Sequence, residues 1–296
     1  MSKSTNNSAA IKGTWGNWVT DRILRGLIGA TLVLPYVTRV RLFGWAVQSI
    51  IAPLAGYRKR AQDQLALIYP EMPMAARRMI ARKVCNNFGR TLIENYSHPD
   101  FGKRVAKMPV SGPGLDAVAH AKAEGRPVIF VTGHFGNYEA PRHALTAMGY
   151  KIGGLYRPMS NAYFNAHYER TMYDISGPVF AQGKRGTIGF VRMLRDGGMG
   201  TLLFDVRSTA FDNIDFLGHP APTATSAADI ALRVNALVVP YFGTRRADGL
   251  TFDITIEAPI EHSDPVTMMR NMTARLEAHI ATHKDQWFWV HKRWRK

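Results

Sequence analysis

One short segment carries the residue types for proton transfer. In Val131-Thr132-Gly133-His134-Phe135-Gly136-Asn137-Tyr138-Glu139 a histidine follows an apolar run and a glutamate comes five residues later. A neutral imidazole takes a proton from an attacking hydroxyl, and a carboxylate on its other nitrogen fixes the tautomer and stabilises the imidazolium. Gly133 and Gly136 allow a loop tight enough to fold Glu139 back toward His134. If an acceptor hydroxyl attacks directly, acyl transfer of this kind needs no serine nucleophile. The same spacing also arises at a plain helix N-terminus, where Glu139 favours the helix dipole. The position after a strand and between glycines favours the chemical reading.

The elements that must hold this pair follow from periodicity. Pro127–Thr132 reads as a buried strand that delivers His134 at its carboxyl end. Before it, Ala61–Ile68, Met74–Cys85 and Phe88–Tyr96 have helical spacing, punctuated by Pro70 and Pro73. From about residue 115 helices and short strands alternate. Helices are expected at Tyr138–Met148, Ala162–Ile175, Arg185–Leu194, Thr225–Val234 and Pro265–His283. Strands are expected at Lys151–Tyr156, Val179–Ala181, Met199–Phe204 and Leu237–Phe242, with Thr251–Ile256 as an outer strand. The expectation is an α/β fold, a central mixed sheet flanked by helices. Residues 1–20 are expected to be flexible, 21–98 to form a helical membrane-associating region, and 99–296 to form the α/β domain.

Composition excludes several classes. The 296 residues are 46% apolar and 20% charged, enough for a full core. The single cysteine, Cys85, excludes an intrachain disulfide and a cysteine-held metal. No phosphate-binding glycine loop and no Gly-x-Ser-x-Gly elbow occur, so neither nucleotide-dependent nor serine-hydrolase chemistry is indicated. His279 and His283 have metal-ligand spacing but no third ligand and read as a solvated face; Glu139 and His143, also four apart, read as a local hydrogen bond. No metal and no cofactor is expected. The net charge of +16 suits polyanionic partners. Residues 1–60 hold nine Lys/Arg against Asp21 alone, and Trp15, Trp18 and Trp45 are interspersed; the tail from Lys284 is likewise basic, with Trp287, Trp289 and Trp294. Basic residues mixed with indoles suit a lipid headgroup layer. The apolar runs Leu27–Val37 and Leu42–Gly56 are too short to span a bilayer and are separated by Arg39 and Arg41, which predicts a hairpin in the interface on the cytoplasmic face. Charge concentrated at apolar ends argues against nucleic acid, whose binding predicts a basic stripe across the main domain. A non-enzymatic membrane binder remains the alternative class.

Several segments, in order, resemble the lipid A late (secondary) acyltransferases, within the membrane acyltransferases that carry a His-x4-Asp/Glu block. They are VTGHFGNYE, Asn86–Glu94 (NNFGRTLIE), Leu155-Tyr156-Arg157-Pro158 followed by Asn161 and Arg170, Leu203-Phe204-Asp205, Phe216–Thr223 and Gln286–Trp294. The resemblance runs from about Arg22 to Lys296. It implies transfer of a fatty acyl chain from acyl carrier protein, or from coenzyme A, to a hydroxyl of a lipid A precursor at the inner membrane. The acidic carrier protein and the phosphorylated precursor both suit a basic chain. The resemblance further implies His134 as general base oriented by Glu139. Arg157 and Arg170 would bind phosphate or stabilise the oxyanion, Asp205 would hold one of those arginines, and Asn161 would belong to the substrate block. Val206 stands where the family often has Gln, and the Glu-Gly-Thr-Arg block of glycerolipid acyltransferases is absent.

Overall fold

A computed structural model describes residues 13–208 and 212–294. The chain enters through α1 (Trp15–Leu32), started by Thr14, whose hydroxyl oxygen accepts from the Asn17 N–H at 3.1 Å. Helix thus begins at Trp15, inside the stretch expected to be flexible; residues 1–12 lie outside the described residues. Pro35 redirects the chain into α2 (Tyr36–Ala46), which continues through a π-helical turn (Val47–Ile51) into α3 (Ala52–Leu54). Gly56, at φ 70°, turns it into α4 (Tyr57–Ile68), and Pro73 opens α5 (Met74–Tyr96). The short α6 (His98–Val105) leads to the α/β part.

There the order is β1 (Val110–Ser111), α7 (Gly114–Ala123), β2 (Val128–Thr132), α8 (Ala140–Ala147), β3 (Ile152–Tyr156), α9 (Ala162–Ile175), β4 (Val179–Ala181), α10 (Lys184–Arg195) and β5 (Met199–Leu203). It continues with β6 (Asp212–Phe216), β7 (His219–Thr223), α11 (Ser226–Val234), β8 (Leu237–Arg245), β9 (Phe252–Ile256) and α12 (Pro265–Thr282). Seven strands form one sheet in the order β1-β9-β8-β2-β5-β3-β4. All neighbours are parallel except β8 and β9, so the sheet is mixed, as expected. β2 lies in its middle with all five residues buried, which is why its sequence is a continuous apolar run. β9 is not the outermost strand: the two-residue β1 pairs with its far edge. β6 and β7 form a separate antiparallel hairpin, covering the Phe216–Thr223 segment.

The core explains two other features. Met268, Met269 and Met272 on α12 are fully buried, filling irregular space as flexible thioethers do. Trp287 and Trp289 are fully buried as well, and Trp294 packs against the same core, so the C-terminal tryptophans do not face lipid. At the other end Trp15, Trp18 and Trp45 are exposed, together with Leu27, Val33 and Leu54. Among the described residues, no helix is long and apolar enough to cross a membrane.

Candidate functional site

Parallel strands put their carboxyl ends along one edge of the sheet, and there the loops gather polar groups. β8 ends at Arg245, β2 ends two residues before His134, β5 two residues before Asp205, and β3 one residue before Arg157. Register decides what meets. Thr132 of β2 pairs with Leu203 of β5, so the residues two further on, His134 and Asp205, stand opposite each other.

They are tightly joined. Asp205 Oδ1 lies 2.8 Å from His134 Nδ1, while Oδ2 accepts the His134 backbone N–H at 2.8 Å and the Trp287 indole N–H at 2.9 Å. The Asp205 side chain is 3% exposed and that of His134 30%. Burial disfavours the Asp205 charge, but the His134 charge and the donated hydrogen bonds outweigh it and bring the carboxyl down to about 2. Burial likewise disfavours the imidazolium, and here the Asp205 charge and hydrogen bond prevail, raising His134 above its usual pKa. An ionised carboxylate on Nδ1 fixes the tautomer that leaves Nε2 as the free base. Nε2 has no hydrogen-bond partner among the described residues. His134 lines a slot of about 20 Å3, room for roughly one water, together with Phe88, Thr91, Tyr138 and Phe288 among others. Tyr138 meets the imidazole edge-on at 5.4 Å, and Phe288 lies against Phe88 with the rings tilted by 35° at 4.8 Å.

The loop beyond His134 is clamped from three sides. Its backbone pairs with the C-terminal segment, Gly136 N–H donating to Gln286 O and Phe288 N–H to His134 O, both at 3.0 Å. Gly136 sits at φ 53°, and a Cβ there would fall 2.0 Å from Gly243 O, so backbone conformation and space both require glycine. Its carbonyl accepts from Thr91 Oγ1 at 2.9 Å and Asn87 Nδ2 at 3.1 Å. Behind these, Arg245 binds Glu94 through two bonds, of 2.6 and 2.7 Å, and reaches Asn87 Oδ1 at 2.6 Å. Glu94 in turn accepts from Asn137 Nδ2 at 2.9 Å. Asn87, Thr91 and Glu94 are spaced i, i+4, i+7, one face of α5. That polar stripe at core spacing was the legible sign of the clamp, which sequence reasoning missed along with Trp287 and Arg245.

Four expected contacts are not the ones formed. Glu139 does not fold back onto His134; at the head of α8 its carboxylate turns along its own helix to Arg142, 3.3 Å away, with both side chains buried. The His143 imidazole makes no bond to the Glu139 carboxylate either; the two residues are joined only through the backbone, His143 N–H donating to Glu139 O at 2.9 Å. The ring packs edge-on against Phe101, and burial, then the Arg142 and His98 charges, depress it to about 3. Asp205 holds the histidine rather than an arginine. Asn161 caps α9, its Oδ1 accepting from Tyr163 and Phe164 N–H and its Nδ2 donating to Asn17 O at 2.8 Å, so its polar atoms are occupied.

Arg170 is exposed on α9, 3.9 Å from Asp174, away from the strand ends. Arg157 follows β3, the strand beside β5, and its charge is felt at His291. Burial first, then the charges of His134, Arg293 and Arg157 against the pull of Asp205, hold His291 below its usual pKa, and His291 Nε2 accepts the Arg207 N–H at 2.9 Å. His279 is packed rather than solvated, 2.8 Å from a Glu257 oxygen. Among the described residues, no group of three His, Cys, Asp or Glu is placed to hold a metal.

A sequence model described as "Bacterial lipid A biosynthesis acyltransferase" matches residues 4–296. The chain is similar to a Lipid A biosynthesis acyltransferase of Haemophilus influenzae, 24% identical over 290 residues that cover 93% of this chain and 86% of the relative. It is also similar to Lipid A biosynthesis acyltransferase 2 of Shigella flexneri, 22% identical over 242 residues, 79% of this chain and 76% of the relative.

Proposed function

The chain belongs to the bacterial lipid A biosynthesis acyltransferase family, and from that premise we propose that it moves a fatty acyl chain from acyl carrier protein to a hydroxyl of a lipid A precursor, with His134 and Asp205 as the proton-transfer pair. It is an acyltransferase of lipid A biosynthesis. In the proposed reaction His134 Nε2 takes the proton of the acceptor hydroxyl as its oxygen attacks the thioester carbonyl carbon. The carbonyl electrons move onto oxygen, then return and expel the thiolate, which takes the proton back from Nε2. Asp205 stays ionised throughout and stabilises the imidazolium. Arg157, at the neighbouring strand end, serves the oxyanion or an acceptor phosphate. The observation that carries this reading is the two-point hold of Asp205 on the ring and the backbone of His134. It leaves the imidazole one free nitrogen, and His134 lines the slot.

The setting supports the partners. A chain of net charge +16 attracts an acidic carrier protein and an anionic membrane. α1 to α3 expose tryptophans and aliphatics beside Arg22, Arg25 and Arg41, which suits a helical hairpin seated in the cytoplasmic leaflet of the inner membrane. The test is the mass of lipid A from cells with and without the gene, with transfer by the purified protein measured alongside. The expected result is loss of one acyl chain in the deletion, restored by the wild-type protein and not by His134→Ala. Unchanged lipid A sinks the acceptor assignment, and near-normal turnover in His134→Ala removes the base.

A further inference from the structure

Against the His134 slot lies a larger cleft of about 720 Å3, and Asn87 and Gln286 line both. Its walls are polar and cationic, and most of the charge is already matched. Lys83 pairs with Asp285 at 3.6 Å, Arg245 with Glu94 at 2.6 Å and Arg246 with Asp253 at 2.5 Å. Arg90 is different. Its guanidinium rests on Asn86 Oδ1 at 2.6 Å and Gly249 O at 3.0 Å, and no carboxylate of the described residues lies within 4 Å of its nitrogens. Burial, then the neighbouring Arg245 and Arg41 charges, hold its pKa down, against weaker support from Glu94 and Asp248. A half-buried cation in that field is stabilised by an incoming anion. Across the cleft the Gln48 side-chain amide has no hydrogen-bond partner among the described residues, and two residues on, Ile50 and Ile51 are exposed. The cleft therefore opens beside the exposed apolar side chains of the hairpin.

We infer that this cleft holds the phosphorylated sugar headgroup of the acceptor glycolipid, with Arg90 on its phosphate and the Gln48 and Asn86 amides on sugar hydroxyls. The inference rests on the acyl-transfer reading above and adds to it where the acceptor lies. The cleft and the His134 slot lie on either side of Asn87 and Gln286, so on this inference the hydroxyl to be acylated and the phosphate are read at separate points. A guanidinium–phosphate contact is worth about a factor of ten or more in affinity.

The experiment uses the full chain in neutral-detergent micelles with saturating acyl carrier protein thioester. Initial rates are compared for a phosphorylated glycolipid acceptor and the same acceptor after phosphatase treatment. For the wild-type protein the KM is expected to be about tenfold lower with phosphate present. Arg90→Gln abolishes that difference at near-normal kcat, and Arg90→Lys keeps part of it. Three results overturn the inference: a wild-type protein indifferent to the phosphate, an Arg90→Gln variant that raises both KM values equally, or loss of the preference when phosphatidylglycerol is added, which would make Arg90 a reader of bulk phospholipid. If Arg90→Gln does not fold, the wild-type and Arg90→Lys comparisons decide alone. No transfer to either acceptor removes the acyl-transfer reading itself, and the inference with it.

Discussion

Asp205 spends both oxygens on three donors, and that sets how His134 behaves with pH. Because the carboxyl is pulled down to about 2, it is charged at every working pH. Its charge raises the His134 pKa, so the imidazole is protonated, and useless as a base, below a value higher than that of free histidine. The kcat/KM is expected to rise with pH through that inflection and then level. Asp205→Asn removes the charge, shifts the inflection to lower pH and lowers the plateau by roughly 10^2 to 10^4-fold. Glu139→Gln leaves the inflection in place, since Glu139 faces Arg142. A pH–rate series on the three proteins decides it; an unmoved inflection in Asp205→Asn defeats the pairing. Both His134 and Asp205 stood out in the sequence, but their pairing did not. It is created by the alignment of β2 with β5 across 71 residues of chain, and no local spacing encodes that. Glu139, five residues away, was the nearer partner along the chain and the wrong one, because the turn at Gly136 leads into α8 rather than back to the ring.

α5 does two jobs as an element. It packs on α2 of the hairpin and presents Asn87, Thr91 and Glu94 to the loop of the site. The Glu94–Arg245 pair is fully buried, so removing one partner strands the other charge. Arg245→Met is expected to cost about 3 to 5 kcal/mol of stability, and Glu94→Leu added to it to recover a good part of the loss. Urea midpoints of the two single variants and the double measure this. Strictly additive losses show the residues do not act as a pair. From β2 to β5 and from α11 onward strands and helices were legible because their apolar periods are clean, whereas α7 and the β6–β7 hairpin were not anticipated. The order of strands in the sheet was not, since it depends on crossovers between distant segments. Asn161 illustrates the same limit: a residue beside a suspected substrate block is a helix cap once the helix start is known.

The molecule as a whole is lopsided. Most of the exposed large apolar side chains among the described residues lie on the hairpin, while the equally aromatic C-terminal segment is core. Composition treated the two ends alike, since tryptophan among Lys and Arg reads the same whether it is exposed or packs inward; the pairing of the C-terminal segment with the loop at Phe135 separates them. Replacing Trp18 and Trp45 by Ser is expected to weaken sedimentation with anionic vesicles by about tenfold or more while leaving the melting temperature nearly unchanged. Added salt weakens wild-type binding in part, because the lysine and arginine contribution is screened. Binding that survives the double substitution unaltered removes the hairpin from the membrane account.

The placement of the six tryptophans also makes the protein its own optical instrument. Trp287 and Trp289 meet edge to face at 4.8 Å, with Trp294 at 5.8 Å from Trp287, and Trp287 holds Asp205. Coupled, rigid indoles of this kind give a near-ultraviolet circular dichroism signal that exists only when the C-terminal segment is packed in place. Trp15, Trp18 and Trp45, open to water, dominate the quenchable fluorescence instead. Ellipticity therefore reports the packing of the segment that holds Asp205, and emission reports the surroundings of the exposed hairpin, from one unlabelled sample.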